Sequence, residues 1–329
     1  MTTSADLVLL VGAPRSGTTW LQHLLGAHAL VTTPQETDLF SRFLQPLHDS
    51  WKRETRGGQA GLEQRRFKGL HSVLTENDFV AIGSEYLDRV ITNATKLKPG
   101  SKIVVEKTPA HSLCSSSIAL FAPNAKIVHL VRDGRDVANS LVASGNGWGA
   151  WWAPKSVTRA SEVWREFVEG ARECASSGSY LEVRYEDLHE NGALTLERVF
   201  SHIGIEANLQ DCELLVESFA LDKMTAGETS IVIGGDFAAA ASQRTEPVGF
   251  FGKGGSGSWR EQWSAKELLA FDHVGGDLLV DLGYEESHNW AGTSSQIASF
   301  KHQCLKSERS RLRVDHLVAR LNQLRRKHP

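Results

Sequence analysis

The sequence has few cysteines, no long apolar run and almost no excess of charge, and each shortage removes a class of protein. Its four cysteines, Cys114, Cys174, Cys212 and Cys304, are scattered without the spacing of a metal site or a redox pair. They read as buried thiols in a reducing compartment. The start of the chain lacks a basic leader region, and no apolar stretch is long enough for a bilayer. The expectation is therefore no signal peptide, no membrane span and a cytoplasmic location. A formal net charge of -3 over 329 residues argues against a general nucleic-acid binder, which carries a basic excess. No His/Cys/Asp set stands at ligand spacing, so no metal is expected. The apolar fraction, 41%, is ordinary and sufficient for a full core, and the length suits one large α/β domain or two small ones.

The chain is organised around residues 7–25, LVLLVGAPRSGTTWLQHLL. The apolar run Leu7 to Val11 is short and bounded by Gly and Pro, which favours a buried strand. A Gly-containing loop follows from Gly12 to Gly17, then a helix for which Thr18 and Thr19 are the expected caps. Such a loop turns backbone N–H groups inward at the positive end of a helix and makes an anion site. Gly12 and Gly17 have the gap of a nucleotide-triphosphate P-loop, but Thr18 stands where its Lys belongs, and the cation sits inside the loop as Arg15. Further apolar runs at 101–105, 126–131 and 180–185 read as strands, and polar residues straight after them lie at the carboxyl edge of an open α/β sheet, where ligands bind. Lys107, in EKTPAHS, is one of these edge residues.

The loop PRSGTTW resembles the 5′-phosphosulfate loop of sulfotransferases that use 3′-phosphoadenosine 5′-phosphosulfate (PAPS), both the tyrosylprotein and heparan type and soluble bacterial forms. In the resemblance Arg15, Ser16, Gly17, Thr18 and Thr19 hold the 5′ end of the donor, and Trp20 offers an aromatic face to the base. The stretch RDGRDVANSLV, residues 132–142, is similar to the family's 3′-phosphate site, an Arg with a Ser eight residues on. Arg132 and Ser140 have that spacing, and Arg pairs two phosphate oxygens at once. A continuous helix would set the two about 12 Å apart, so the phosphate is expected beside the helix start. Arg135, Asp133 and Asp136 read instead as helix-start charges and surface pairs. YEDL, residues 185–188, is similar to the family segment whose Tyr lies near the adenine, which implies that role for Tyr185. Lys253, Gly254, Gly257 and Trp259 match the family's closing loop, while Gly252 and Ser258 replace its Arg and Asp.

The residues alone would make Glu36 an ordinary exposed carboxylate. QETDLF, residues 35–40, resembles the Glu-containing segment that supplies the general base in the tyrosylprotein and heparan enzymes, which implies that role for Glu36. Lys107 and Thr108 resemble the family's Lys-Ser or Lys-Thr pair, implying that Lys107 stabilises the leaving phosphate oxygen. His111 comes four residues after Lys107 rather than two, as in the cytosolic enzymes, and is the second choice for the base.

The resemblance spans about residues 5–265. It implies a single P-loop-like α/β domain over 1–290, with a central parallel sheet of at least four strands flanked by helices. Residues 291–329 form a basic tail in which Val314, Leu317, Leu321 and Leu324 are spaced for an amphipathic helix that packs on the domain, dimerises or docks a partner. Residues 193–225 read as two helices, and Trp148, Trp151 and Trp152 lie on a Gly-rich loop that is either a lid over an apolar acceptor pocket or a core hairpin. The implied activity is transfer of a sulfuryl group from PAPS to an acceptor hydroxyl or amine. A P-loop kinase or NTPase, and a non-catalytic nucleotide-binding scaffold, are the two rivals.

Overall fold

The computed structural model describes residues 5–56, 68–176, 179–226, 233 and 256–306. Among them five strands form one sheet in the order β2-β3-β1-β4-β5, with every neighbouring pair parallel. They are β1 (Asp6–Val11), β2 (Val31–Thr32), β3 (Ile103–Lys107), β4 (Lys126–Val131) and β5 (Tyr180–Arg184). β1 is central. The chain builds the sheet on one side of it through β2 and β3, then on the other through β4 and β5.

The alternation of β1 explains the layers. Val8 and Leu10 point into a core shared with Leu21, Leu24 and Leu25 of helix α1 (Thr18–Gly26), whereas Leu9 and Val11 point into one shared with Phe40 and Ile118. Successive strand side chains alternate between faces, and a parallel sheet covered on both faces carries the near-continuous apolar runs read from the sequence.

Helices α2 (Gln45–Thr55), α3 (Glu76–Ala94) and α4 (Ser115–Phe121) lie before β4, and α5 (Gly134–Gly145) and α6 (Val157–Glu173) between β4 and β5. A π-helical turn, Leu39–Leu44, runs into α2. After β5 come α7 (Tyr185–Glu190), α8 (Gly192–Ile203), α9 (Leu209–Ser218) and α10 (Leu221–Ala226). Residues 193–225 thus hold three helices rather than two, because Gly204, at φ 91°, and the turn at Phe219 and Ala220 each break the run. α11 (Trp259–Gln262) leads to α12 (Ala265–Asp281), which closes the third core cluster, in which Trp164 and Phe271 are fully buried. The helix expected at 314–324 lies outside the described residues.

The register aligns Leu10 with Lys107 and Val11 with His129. The residues that follow β1, β3, β4 and β5 therefore emerge along one edge of the sheet. That edge carries the loop 12–17, Thr108, Arg132 and Tyr185.

Candidate active site

The loop between β1 and α1 is shaped by two glycines and one strained arginine. Gly12 has φ 153°, and a Cβ there would lie 2.5 Å from the Leu130 carbonyl oxygen; Gly17 has φ 94°, and its Cβ would lie 2.6 Å from the Tyr185 ring. Arg15 takes φ 75°, a conformation that costs a non-glycine residue of order 1–3 kcal/mol. Gly17 itself is the N-cap of α1, with no side-chain cap. Thr18 and Thr19 are the first helical residues, and both are buried. Their expected capping role is therefore corrected: left-handed Gly17 already turns the chain, which places the threonines inside the helix. The Ser16 hydroxyl is buried and has no hydrogen-bond partner among the described residues. An unsatisfied buried hydroxyl in a loop of this shape fits an anion's oxygen.

Two arginines meet over this loop. Arg15 Nε donates to Ser140 Oγ at 3.0 Å, and Arg15 Cζ lies 5.6 Å from the Trp148 ring centroid. Arg132 Nη1 donates to the Arg15 carbonyl at 3.3 Å, and its Cζ stands 4.2 Å over the Tyr185 ring. Arg132 precedes α5, and the buried Trp164 Nε1 donates to its carbonyl at 3.2 Å. The Arg132–Ser140 gap is thus filled from the side by Arg15 rather than spanned along the helix. Trp20 donates through Nε1 to the Phe219 carbonyl at 2.9 Å and packs edge-on to Tyr185 at 5.8 Å between centroids.

The second group gathers beside Thr19. Lys107 is buried; its Nζ donates to Thr19 Oγ1 at 3.3 Å and pairs with Glu36 Oε1. The Glu36 side chain is 51% exposed, so it faces both this cation and solvent. His111 is placed differently. It is fully buried, its Nε2 accepts the Phe40 N–H at 3.1 Å, and its Nδ1 lies 2.7 Å from Glu106 Oε2.

Lys253 and Gly254 lie outside the described residues, but the end of their loop does not. Gly257 N–H donates to both oxygens of Asp136 at 2.9 and 3.1 Å, and Asn139 Nδ2 donates to Ser258 Oγ at 3.0 Å. Burial and the Asp133 charge push the Asp136 carboxyl up to about 6, although the Gly257 N–H and Arg132 pull the other way. Arg135 is 2% exposed, stands over the rings of Trp259 and Trp290, and pairs with Asp133 and Glu285. The expectation of surface charges at 133–136 is thereby corrected: α5 starts beneath the 256–259 segment, so its first-turn charges are covered. Asp133 keeps its expected place as a helix-start acceptor for the Arg135 N–H. Glu106, Asp136 and Asn139 were not singled out from the sequence, because the partners that tie them to this region, Thr37, Gly257 and Ser258, lie 69, 121 and 119 residues away.

The tryptophan loop is neither a hairpin nor fully exposed. Residues 147–152 form successive turns; Trp152 packs on the third core cluster, and Trp151 is 85% exposed. Among the described residues no group of three or more His, Cys, Asp or Glu is placed to hold a metal, and no helix is long and apolar enough to cross a membrane.

Fold and site together define a parallel α/β protein with a glycine-shaped loop at the carboxyl edge of its central strand. Residues 8–210 match the family model described as the sulfotransferase family, and the chain belongs to that family. Among curated relatives, the nodulation protein NoeE of Sinorhizobium fredii is 24% identical over 85% of this chain and 66% of its own length. Mouse sulfotransferase 2A6 is 23% identical over 84% of each chain. The Drosophila melanogaster protein-tyrosine sulfotransferase is 27% identical over 42% of this chain and 25% of its own. The chain therefore spans less than two thirds of the length of some of its relatives. The crystal structure of mouse sulfotransferase SULT7A1 complexed with PAP (3′-phosphoadenosine 5′-phosphate) is 15% identical, covers 92% of this chain and 89% of its own, and has a TM-score of 0.51. It shares the fold, as expected from the sequence.

Proposed function

We propose that this protein is a PAPS-dependent sulfotransferase that acts on an acceptor hydroxyl, with an amine as the alternative nucleophile. The observation that carries the reading is the meeting of two groups on one loop: Arg15 with Arg132 and Ser140 on one side, Lys107 with Glu36 on the other. The donor, when bound, supplies a sulfuryl group already activated as a mixed anhydride with phosphate. Ser16, Gly17, Thr18 and Thr19 present hydroxyl and backbone donors to its 5′ end. Arg132 and Ser140, with Lys253 and Gly254 from the closing loop, hold the 3′-phosphate and so distinguish the donor from ATP. Trp20 and Tyr185 offer aromatic faces for the base.

Glu36 takes the acceptor proton. It is the carboxylate that touches Lys107 and still reaches solvent, where an acceptor arrives. His111 is set aside as the base because its Nε2 lone pair is already given to the Phe40 N–H. Lys107 and Arg15 stabilise the charge that grows during transfer, in a site where fixed cations act strongly. No metal is required, since these cations provide the screening. An acceptor with an apolar portion suits the exposed Trp151. Docking or dimerisation through the tail and a cytoplasmic setting belong to the same proposal; the free cysteines accord with a reducing compartment.

The test uses labelled donor and a panel of a tyrosine peptide, a sugar, a phenol and a primary alcohol. Glu36→Gln should lower kcat by about 10²–10⁴-fold, the range of general-base catalysis, with PAP affinity unchanged. Full turnover in the variant would refute the base assignment. No turnover in wild type or variant would favour a non-catalytic nucleotide-binding protein.

A further inference from the structure

The segment that carries Glu36 is not held by secondary structure of its own. It contains Asp38 in a left-handed conformation, φ 53°, and enters a π-helical turn at Leu39. Backbone N–H groups in such a segment need acceptors from elsewhere. They find them on side chains, residue after residue. Thr37 N–H donates to Glu106 Oε1 at 3.0 Å, Asp38 N–H to Thr108 Oγ1 at 3.3 Å, Leu39 N–H to Thr37 Oγ1 at 3.2 Å and Phe40 N–H to His111 Nε2 at 3.1 Å.

Glu106 connects all four. Its Oε1 also accepts the hydroxyls of Thr37 and Thr108, each at 2.8 Å, and its Oε2 faces His111 Nδ1. A carboxylate accepts without donating. Each hydroxyl therefore spends its proton on Glu106 and keeps a lone pair for an N–H of the segment. With Nε2 accepting the Phe40 N–H, a neutral imidazole carries its proton on Nδ1, which lies 2.7 Å from Glu106 Oε2 in a close contact short of hydrogen-bond geometry. Glu106 is buried, 1% exposed. Burial pushes its carboxyl up, but His111 and the Thr37 donors outweigh that and hold it below the usual carboxylate range.

We propose that Glu106 is a positioning residue: through Thr37, Thr108 and His111 it fixes the 36–40 segment, and so aims Glu36 at the reacting centre beside Lys107. Glu106 does not touch substrate. The inference rests on Glu36 being the base. It assigns a place to the buried histidine: His111 serves the base from below.

Gln at position 106 is the informative change, because it has nearly the same shape and the wrong sense. Its carbonyl can satisfy the threonine donors only by turning its NH2 towards His111 Nδ1, where a proton already sits. The histidine must then move its proton to Nε2, against the Phe40 N–H.

Three readouts decide the matter. In Glu106→Gln, hydrogen exchange at the amides of 37–40 should speed up while PAP affinity stays within about twofold. The turnover of the labelled-donor assay should fall about 100-fold with little change in acceptor KM, the scale of a roughly 1 Å misplacement. In a Glu36→Gln background the same substitution should cost almost nothing, since the two act through one group. Thr37→Val, which keeps shape and backbone, should give a smaller version of the same pattern if the Gln variant folds poorly. Wild-type amide protection at 37–40 with unchanged kcat, or an equal loss of kcat with and without Glu36, would overturn the proposal. Should Glu36→Gln itself turn over normally, the base assignment falls, and amide protection alone decides whether Glu106 fixes the segment.

Discussion

Glu106 and Lys107 are neighbours on β3 whose side chains reach different neighbours of one segment, the first Thr37 and the second Glu36. Sequence made one of them legible and hid the other. Lys107 stood out because a cation at a strand's carboxyl edge has no packing reason to be there. Glu106 reads as part of the strand, and only the return of residues 36–40 across the sheet shows what it holds. Motifs singled out Glu36, Arg15, Arg132 and Ser140 as candidates; that Arg15 reaches Ser140 was not foreseen, because nothing in a spacing rule says which side chain fills an intervening gap. Lys107→Met tests the cation. Loss of a preorganised donor of this kind costs about 10²–10³-fold in kcat. Stability should fall by less than about 1 kcal/mol, because the abandoned Glu36 is half exposed and water can take the cation's place. A variant within threefold of wild type in single-turnover rate would remove Lys107 from the mechanism.

At the scale of elements, four of the five strands were readable because each is a short apolar run ended by Gly, Pro or charge, and β1 and β4 appear within a residue of their expected limits; β2, only Val31–Thr32, is too short to leave such a run. The start of α1 was misread. Thr18 and Thr19 have capping side chains, but the left-handed Gly17 ends the loop one residue earlier and makes them helix. That glycine couples two elements: it lies against Tyr185, the first residue of α7, so closely that no Cβ fits. Gly17→Ala must strain the turn and push the Tyr185 ring away from Arg132. The expected result is a loss of about 1–3 kcal/mol in stability together with weaker PAP binding, measured by denaturant titration and calorimetry. Unchanged affinity would show that Tyr185 and the loop act separately.

At the scale of the whole molecule, the sheet order sends β4 and α5 to one side of β1, and the return of the chain at 256–259 closes over that side. Asp136 is one point of contact, beside Asn139 and Arg135. Its carboxyl is raised to about 6 by burial and by Asp133, from an ordinary 3.8, while Gly257 N–H and Arg132 oppose the shift and Glu186 adds to it. Between those values the folded protein holds a proton that the unfolded chain has released. The contribution of this group to stability therefore falls as pH rises from about 4 to about 6. Asp136→Asn keeps an acceptor for Gly257 and removes the charge. Its melting temperature should exceed that of wild type by about 3 °C above pH 6 and match it below pH 4. An advantage independent of pH would mean that Asp136 does not titrate in this range.

In the proposed function, one loop and two arginines select a doubly phosphorylated adenosine donor. Calorimetric titration of PAP, 5′-AMP and ATP with Mg²⁺ into wild type and Arg132→Ala tests it most directly. PAP should bind at least about tenfold more tightly than 5′-AMP, the worth of one charge-assisted phosphate contact, and Arg132→Ala should erase that margin. Equal affinity for PAP and 5′-AMP, or a preference for ATP with Mg²⁺, would contradict the account.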